Sequence, residues 1–261
     1  MEAIVNGHAG NAAPPRAARN DAPALPAVVD RAKWQAQVDE LLVREKAHTR
    51  EGDAIAAARR RLPMVEVDPS IPLTGGDGPI PLIDVFEGRR QLIAYYHMWH
   101  DGQPTPAQCE GCTFVTGQIR ELSYLHSRDV TFAIFCQGPY AESEAYRDFM
   151  EWDVPWYSAR PSTEALLAGR WFGMQVFYLR DGDRVYETYW SSGRSCETFG
   201  ATYPLLDMTV YGRQEWWEDS PAGWPKNFAS EGEQWRSNGR PIPQWSRLAA
   251  GRSDDLTLRE R

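Results

Sequence analysis

Gln91-Leu92-Ile93-Ala94-Tyr95-Tyr96-His97 is an almost unbroken apolar run, and Asp129-Val130-Thr131-Phe132-Ala133-Ile134-Phe135-Cys136 is a second. Runs of this length, rich in β-branched and aromatic residues and without alternation, mark strands buried on both faces. Between them Val115, Ile119, Leu122 and His126 fall at helical spacing, which predicts a helix over 112–126. A strand–helix–strand passage with both strands doubly buried is the unit of a parallel sheet. The fold class expected is α/β.

Downstream, Tyr146, Phe149 and Met150 predict a helix over 140–152. Residues 155–158 predict a short strand and residues 163–171 another helix. Met174–Leu179 and Arg184–Trp190 flank Arg180-Asp181-Gly182-Asp183, which reads as a hairpin. The sheet is therefore expected to be mixed and central, with helices flanking it. Upstream, Asp30 caps a long helix from Arg31 to Arg61, with Trp34, Val38, Leu41 and Leu42 on one side and Ile55 and Leu62 continuing it. Arg59-Arg60-Arg61 complements the dipole at its end, and Pro63 stops it. Prolines and Gly75-Gly76-Asp77-Gly78 make 63–90 a loop with one short strand, Met64–Val67, and a turn of helix over 81–88. The organisation expected is a disordered Ala/Pro-rich leader over 1–29, an N-terminal helix over 30–62, the main domain over 63–210, and a Trp/Pro-rich tail over 211–261. The tail, with Trp216, Trp217, Trp224, Trp235 and Trp245, is expected to pack on the domain or on a partner subunit.

Composition narrows the function. Lys plus Arg number 28 against 36 Asp plus Glu, a formal charge of −8, so neither nucleic acid nor an anionic membrane is an expected partner. Nothing is long and apolar enough to span a membrane, and the first residues lack a secretory leader, so a cytoplasmic protein is expected. Four cysteines in 261 residues make no disulfide framework. There is no P-loop, no dinucleotide fingerprint and no nucleophile elbow at Ser191-Ser192-Gly193.

Cys109-Glu110-Gly111-Cys112 carries the chemistry. A C-x-x-C between a buried strand and a helix reads as a thioredoxin-like redox motif. A cysteine at a helix N-terminus has free N–H groups and the dipole to favour thiolate, which is the attacking species. Cys109 would attack, and Cys112, one turn on, would resolve the mixed disulfide. Glu110 opposes the thiolate by its charge. The bland alternatives are two unrelated core thiols or half of a structural zinc site. His97 and His100 extend the motif to H-x2-H-x8-C-x2-C, four donors suited to Cu(I) or zinc. His97 ends the first buried strand at the edge where ligands gather. It either tunes the thiolate and moves a proton or simply buttresses the loop, while His100 points to the opposite face unless the chain bends. Cys136 and Cys196 read as buried, structural thiols.

These landmarks resemble a bacterial family of unknown function with a thioredoxin-like fold, related to the AhpC/thioredoxin group and labelled predicted dithiol-disulfide oxidoreductases. The resemblance spans roughly residues 34–225. It rests on LIDVFEGRRQLIAYYHMWH, the C-x-x-C, HSRDVTFAIF, RDFMEWDVPWYS, VFYLRDGDRVYETYW and LLDMTVYGRQEWW. It implies a thioredoxin-like domain with a redox-active dithiol. Met98-Trp99-His100-Asp101 stands where relatives carry Phe-Met-Phe, marking a subgroup with an extra histidine, and 160–170 also departs from the pattern. Thioredoxins carry a proline where Phe172-Gly173-Met174 stands here. The peroxiredoxin pattern P-x-x-x-T-x-x-C is absent, because Thr105 lies four residues before Cys109.

Two readings of the site follow. In the first, the protein is a dithiol oxidoreductase acting on a small-molecule or protein thiol substrate. In the alternative it is a copper- or zinc-binding protein, or a copper-dependent oxidase, with Cys109, Cys112, His97 and His100 as ligands. A third reading, an interaction module with idle cysteines, rests on the leader and tail. The long helix and aromatic tail lean toward a homodimer.

Overall fold

The computed structural model describes residues 23–230, 232–237 and 240–244. In chain order the elements are α1 (Arg31–Arg59), β1 (Val65–Val67), β2 (Pro72–Gly75), β3 (Gly78–Pro81), β4 (Gln91–His97), α2 (Glu110–Gln118), α3 (Ser123–His126), β5 (Val130–Cys136), α4 (Tyr140–Met150), β6 (Trp156–Ser158), α5 (Thr163–Leu167), β7 (Met174–Asp181), β8 (Arg184–Ser192), α6 (Thr202–Asp207), β9 (Arg236–Ser237) and β10 (Arg240–Pro241). Eight strands form one sheet in the order β1-β8-β7-β4-β5-β6-β2-β3. The fold is α/β, with a curled mixed sheet and helices against it.

The two runs that decide the fold lie side by side at its centre. β4 and β5 are parallel, in register from Gln91 opposite Val130 to His97 opposite Cys136. β5 continues parallel to β6, while β4 pairs antiparallel with β7. Successive side chains of a strand point to opposite faces. Leu92, Ala94 and Tyr96 accordingly join one core with Leu82, Phe86, Phe135 and Val176. Tyr95 joins the other, with Phe132, Ile134, Val115, Tyr146 and Trp156. Each fully buried Leu or Phe is worth roughly 1.5–3 kcal/mol against exposure, so both faces contribute. The hairpin β7–β8 turns at Gly182, whose φ of +61° suits glycine, and carries a bulge at Phe177/Tyr178.

Several boundaries differ from the sequence reading. The helix expected over 112–126 is two. It starts earlier, at Glu110, and breaks after Gln118, where Ile119 turns extended; Ser123 opens the second helix with its N–H on Glu121 Oε1 at 2.6 Å. The helix over 140–152 stops at Met150, because Glu151 is left-handed (φ +51°), and the one over 163–171 stops at Leu167, before left-handed Ala168 (φ +48°). The stretch read as loop contains the hairpin β2–β3, whose prolines are tolerated at a sheet edge.

α1 forms as its pattern and cap predict, with Asp30 accepting from Lys33 N at 2.8 Å, yet it has no buried residue. Trp34, Leu41, Leu42 and Ile55 remain exposed. No described helix is long and apolar enough to cross a membrane. Most of the leader, 1–22, and Trp245 lie outside the described residues; Ala24 bonds Gly223 O at 3.0 Å and receives the Tyr211 hydroxyl at 3.1 Å. The tail is anchored by Arg213, which bonds Asp207 and Glu197 and lies 4.3 Å over the Tyr203 ring.

Candidate active site

The dithiol lies just beyond the carboxyl end of β4, where open α/β sheets gather their ligands. Cys109 is the N-cap of α2, its sulfur accepting the Cys112 N–H at 3.4 Å. A helix starts here because the preceding segment is fastened from within. Buried Gln108 accepts from His100 N at 3.0 Å and donates to His100 O and Gln103 O at 2.9 and 2.8 Å. Its side chain thereby replaces the backbone pairing that the turn lacks. The Thr113 hydroxyl donates to Cys109 O at 2.8 Å and meets the Tyr146 hydroxyl at 2.7 Å.

The two sulfurs are unlike. Cys109 is partly exposed and Cys112 is 2% exposed. The Cys112 thiol donates to Cys109 and, with the Cys112 and Gly111 N–H groups, draws the Cys109 pKa below the ordinary thiol value, against partial burial and the Glu110 charge. Burial holds the Cys112 thiol well above the ordinary value, and its bond to Cys109 adds to this. Two donors nonetheless face the Cys112 sulfur, the Tyr95 hydroxyl and the Met98 N–H, each at 3.4 Å. Glu110 does face the site, and it is paired with Arg236 at 2.6 Å.

The two histidines do not join the sulfurs. His97 has no exposure and sits in a box of rings: Trp156 at 5.3 Å, Trp152 at 6.2 Å, Tyr146 at 6.4 Å and Tyr95 at 6.5 Å between centroids. Its Nδ1–H donates to Met98 O at 2.7 Å, which leaves Nε2 as the unprotonated nitrogen, and Nε2 has no partner. Burial lowers its pKa to about 4, so the ring is neutral at physiological pH. His100 turns its Nδ1–H to Ala107 O at 2.8 Å. Among the described residues no three His, Cys, Asp or Glu side chains are close enough to hold one metal ion. The four-donor set of His97, His100, Cys109 and Cys112 therefore does not fit copper or zinc as it is arranged.

Cys136 and Cys196 are core thiols. Burial pushes Cys136 up to about 12 and Cys196 up to about 11. Cys196 donates to Gly173 O at 3.7 Å.

Sequence reasoning missed Tyr95, Gln108 and Arg236 as site residues, and placed Trp235 only in a tail expected to pack on the domain or on a partner. Strand parity offered a signal for the first, since Tyr95 shares the face of β4 on which α2 packs. Trp235 lies 4.9 Å from Phe114, and Gln244, fully buried, donates to Gln108 O at 2.8 Å. A surface cleft of about 470 Å³ opens beside the motif, lined by Trp99, Gln103, Thr105, Gln108, Glu142 and Tyr146.

No curated protein matches the chain. Among solved structures it is similar to the crystal structure of the peroxidoxin BcpB from Mycobacterium tuberculosis, at 14% identity and a TM-score of 0.33, covering 54% of this chain and 94% of that one. Residues 23–238 match a family of bacterial proteins of unknown function, DUF899, and the chain belongs to that family.

Proposed function

We propose that the protein is a cytoplasmic thioredoxin-like dithiol-disulfide oxidoreductase in which Cys109 attacks and Cys112 resolves. The observation that carries this reading is the inequality of the two sulfurs, with a partly exposed Cys109 drawn toward thiolate and a buried Cys112 held as thiol. The sheet order supports it. Within β8-β7-β4-β5, the dithiol helix joins the parallel pair and the hairpin closes the other side, the arrangement of a thioredoxin-like sheet.

The Cys109 thiolate attacks a substrate disulfide R–S–S–R′. The S–S bond breaks, Cys109–S–S–R forms, and R′–S⁻ leaves with the electron pair. Cys112 then gives its proton to R′–S⁻. The Tyr95 hydroxyl and Met98 N–H stabilise the resulting sulfur anion. This anion attacks the Cys109 sulfur, forms the Cys109–Cys112 disulfide and expels R–S⁻. The substrate gains two electrons and the dithiol loses two. An external thiol reductant restores the pair.

The test is a redox titration of the full chain against dithiothreitol buffers, followed by mass. One reversible two-electron step confined to Cys109 and Cys112 is expected. Cys112→Ser should trap a mixed disulfide on Cys109, and Cys109→Ser should form none. Thiols that never pair across the accessible range of potentials overturn the reading.

A further inference from the structure

The chain's own C-terminal segment clasps the dithiol loop. The Trp235 indole lies beside Gly111, where a Cβ would meet the ring in ordinary van der Waals contact at 3.6 Å. The same indole packs on Phe114 at 4.9 Å and Tyr203 at 6.2 Å. Arg236 holds Glu110 through two nitrogens, at 2.6 and 2.8 Å. After the β9–β10 pairing the segment returns, and Gln244 donates to Gln108 O at 2.8 Å. Gln108, Glu110 and Gly111, which flank Cys109, thus each carry a contact from the tail.

A polypeptide disulfide reaches a sulfur together with its own flanking chain, and on the Gly111 side of Cys109 the Trp235 indole occupies the surface that this chain would cross. On the Gln108 side of Cys109 lies the surface cleft of about 470 Å³, whose lining includes Gln108 and Tyr146 but neither cysteine. Its size is that of a small-ligand site. Trp99 and Tyr146 give it apolar walls and Glu142 a carboxylate.

We propose that the oxidant is a low-molecular-weight disulfide entering through this cleft, and that Trp235, Arg236 and Gln244 bar polypeptide disulfides from Cys109. The inference rests on the dithiol reading. The exchange is the one written above, with the small disulfide gaining the two electrons and a thiol reductant restoring the pair.

The experiment compares bis(2-hydroxyethyl) disulfide with insulin as oxidants of the reduced full chain. Each rate is divided by that of dithiothreitol alone on the same disulfide. The small disulfide should lead by at least about tenfold, and the Trp235→Ala/Arg236→Ala double variant should close most of that gap by raising the insulin rate. Equal normalised rates in the unmodified chain, or an unchanged gap in a folded double variant, overturn the proposal and leave the dithiol reading standing. Alkylation adds a readout that does not need the variant. Iodoacetamide should label Cys109 while a polyethylene-glycol maleimide many times larger should not, and equal labelling by both overturns the barrier. Reaction with neither disulfide overturns the dithiol reading and this inference with it.

Discussion

The hydroxyl of Tyr95 donates to the sulfur of Cys112 at 3.4 Å, tying the central strand to the dithiol helix. In the resting dithiol this bond faces a neutral thiol, because burial keeps Cys112 protonated. Its value rises when Cys112 must become the attacking thiolate, since hydrogen bonds to charged groups are worth about 1.5–3 kcal/mol. Tyr95→Phe keeps the ring and removes the donor. Resolution should slow by about tenfold or more, and the mixed disulfide on Cys109 should accumulate. Its pH dependence should move to higher pH as Cys112 becomes more basic. Quenched-flow trapping of the mixed disulfide across pH reads both. An unchanged resolution rate would show that Met98 N–H alone serves Cys112.

Glu110 sits between the cysteines and opposes the Cys109 thiolate, while the Cys112 thiol and two backbone N–H groups favour it. Glu110→Gln removes the opposing charge. The pH at which Cys109 is half-alkylated by iodoacetamide should fall further below the ordinary thiol value. The variant also frees Arg236, a cation next to the site, which pushes the same way. An upward movement of that midpoint would mean that Glu110 acts mainly by holding the tail.

The parts of this structure legible in the sequence are those with a local cause. β4 and β5 are apolar on both faces, so their runs stood out, and Cys109 and Cys112 announced themselves by spacing. The hairpin β2–β3 did not, because Pro72, Pro79 and Pro81 argue against a strand until its edge position is known. The break between α2 and α3 was hidden because Ile119 and Leu122 keep helical spacing through residues that leave the helix. Tyr95 lay inside a doubly buried run, where apolarity says nothing about which face meets the dithiol and only its parity with His97 does. The Arg236–Glu110 and Gln244–Gln108 contacts join positions 126 and 136 residues apart, and no periodicity records such pairs. His97 was visible as a residue but not as a boxed one, since three of the four rings around it come from α4, β6 and the turn between them.

Gly138 follows β5 at the turn into α4, and a Cβ placed on it would fall within the indole of Trp99. That indole N–H donates to Glu142 at 3.2 Å, and its ring packs on Tyr146 at 5.5 Å. Gly138→Ala must displace the indole, and overpacking of this kind costs about 1–3 kcal/mol. Chemical denaturation should show that loss. Because Trp99 lines the cleft, the substrate KM for a small disulfide should rise more than kcat falls. A variant of unchanged stability would mean that the turn relaxes without moving Trp99.

His97 gives the protein a pH dependence whose sign follows from its burial. Its pKa is lowered to about 4 in the fold, against 6.5 for an ordinary imidazole. Above 6.5 both folded and unfolded chains carry it neutral, and it adds no pH dependence. As the pH falls below 6.5 the unfolded chain takes up a proton that the folded chain refuses, so the unfolded state gains. The loss grows until the folded ring itself protonates, and at pH 5 it amounts to about 2 kcal/mol. His97→Leu removes the titration together with the bond to Met98 O, so the variant starts less stable at pH 7 but should lose about 2 kcal/mol less between pH 7 and pH 5. Urea denaturation of both proteins at the two pH values measures the difference directly. Parallel losses in the two would show that the ring charges freely in the fold, and with it that Trp152, Trp156 and Tyr146 do not shut it from water.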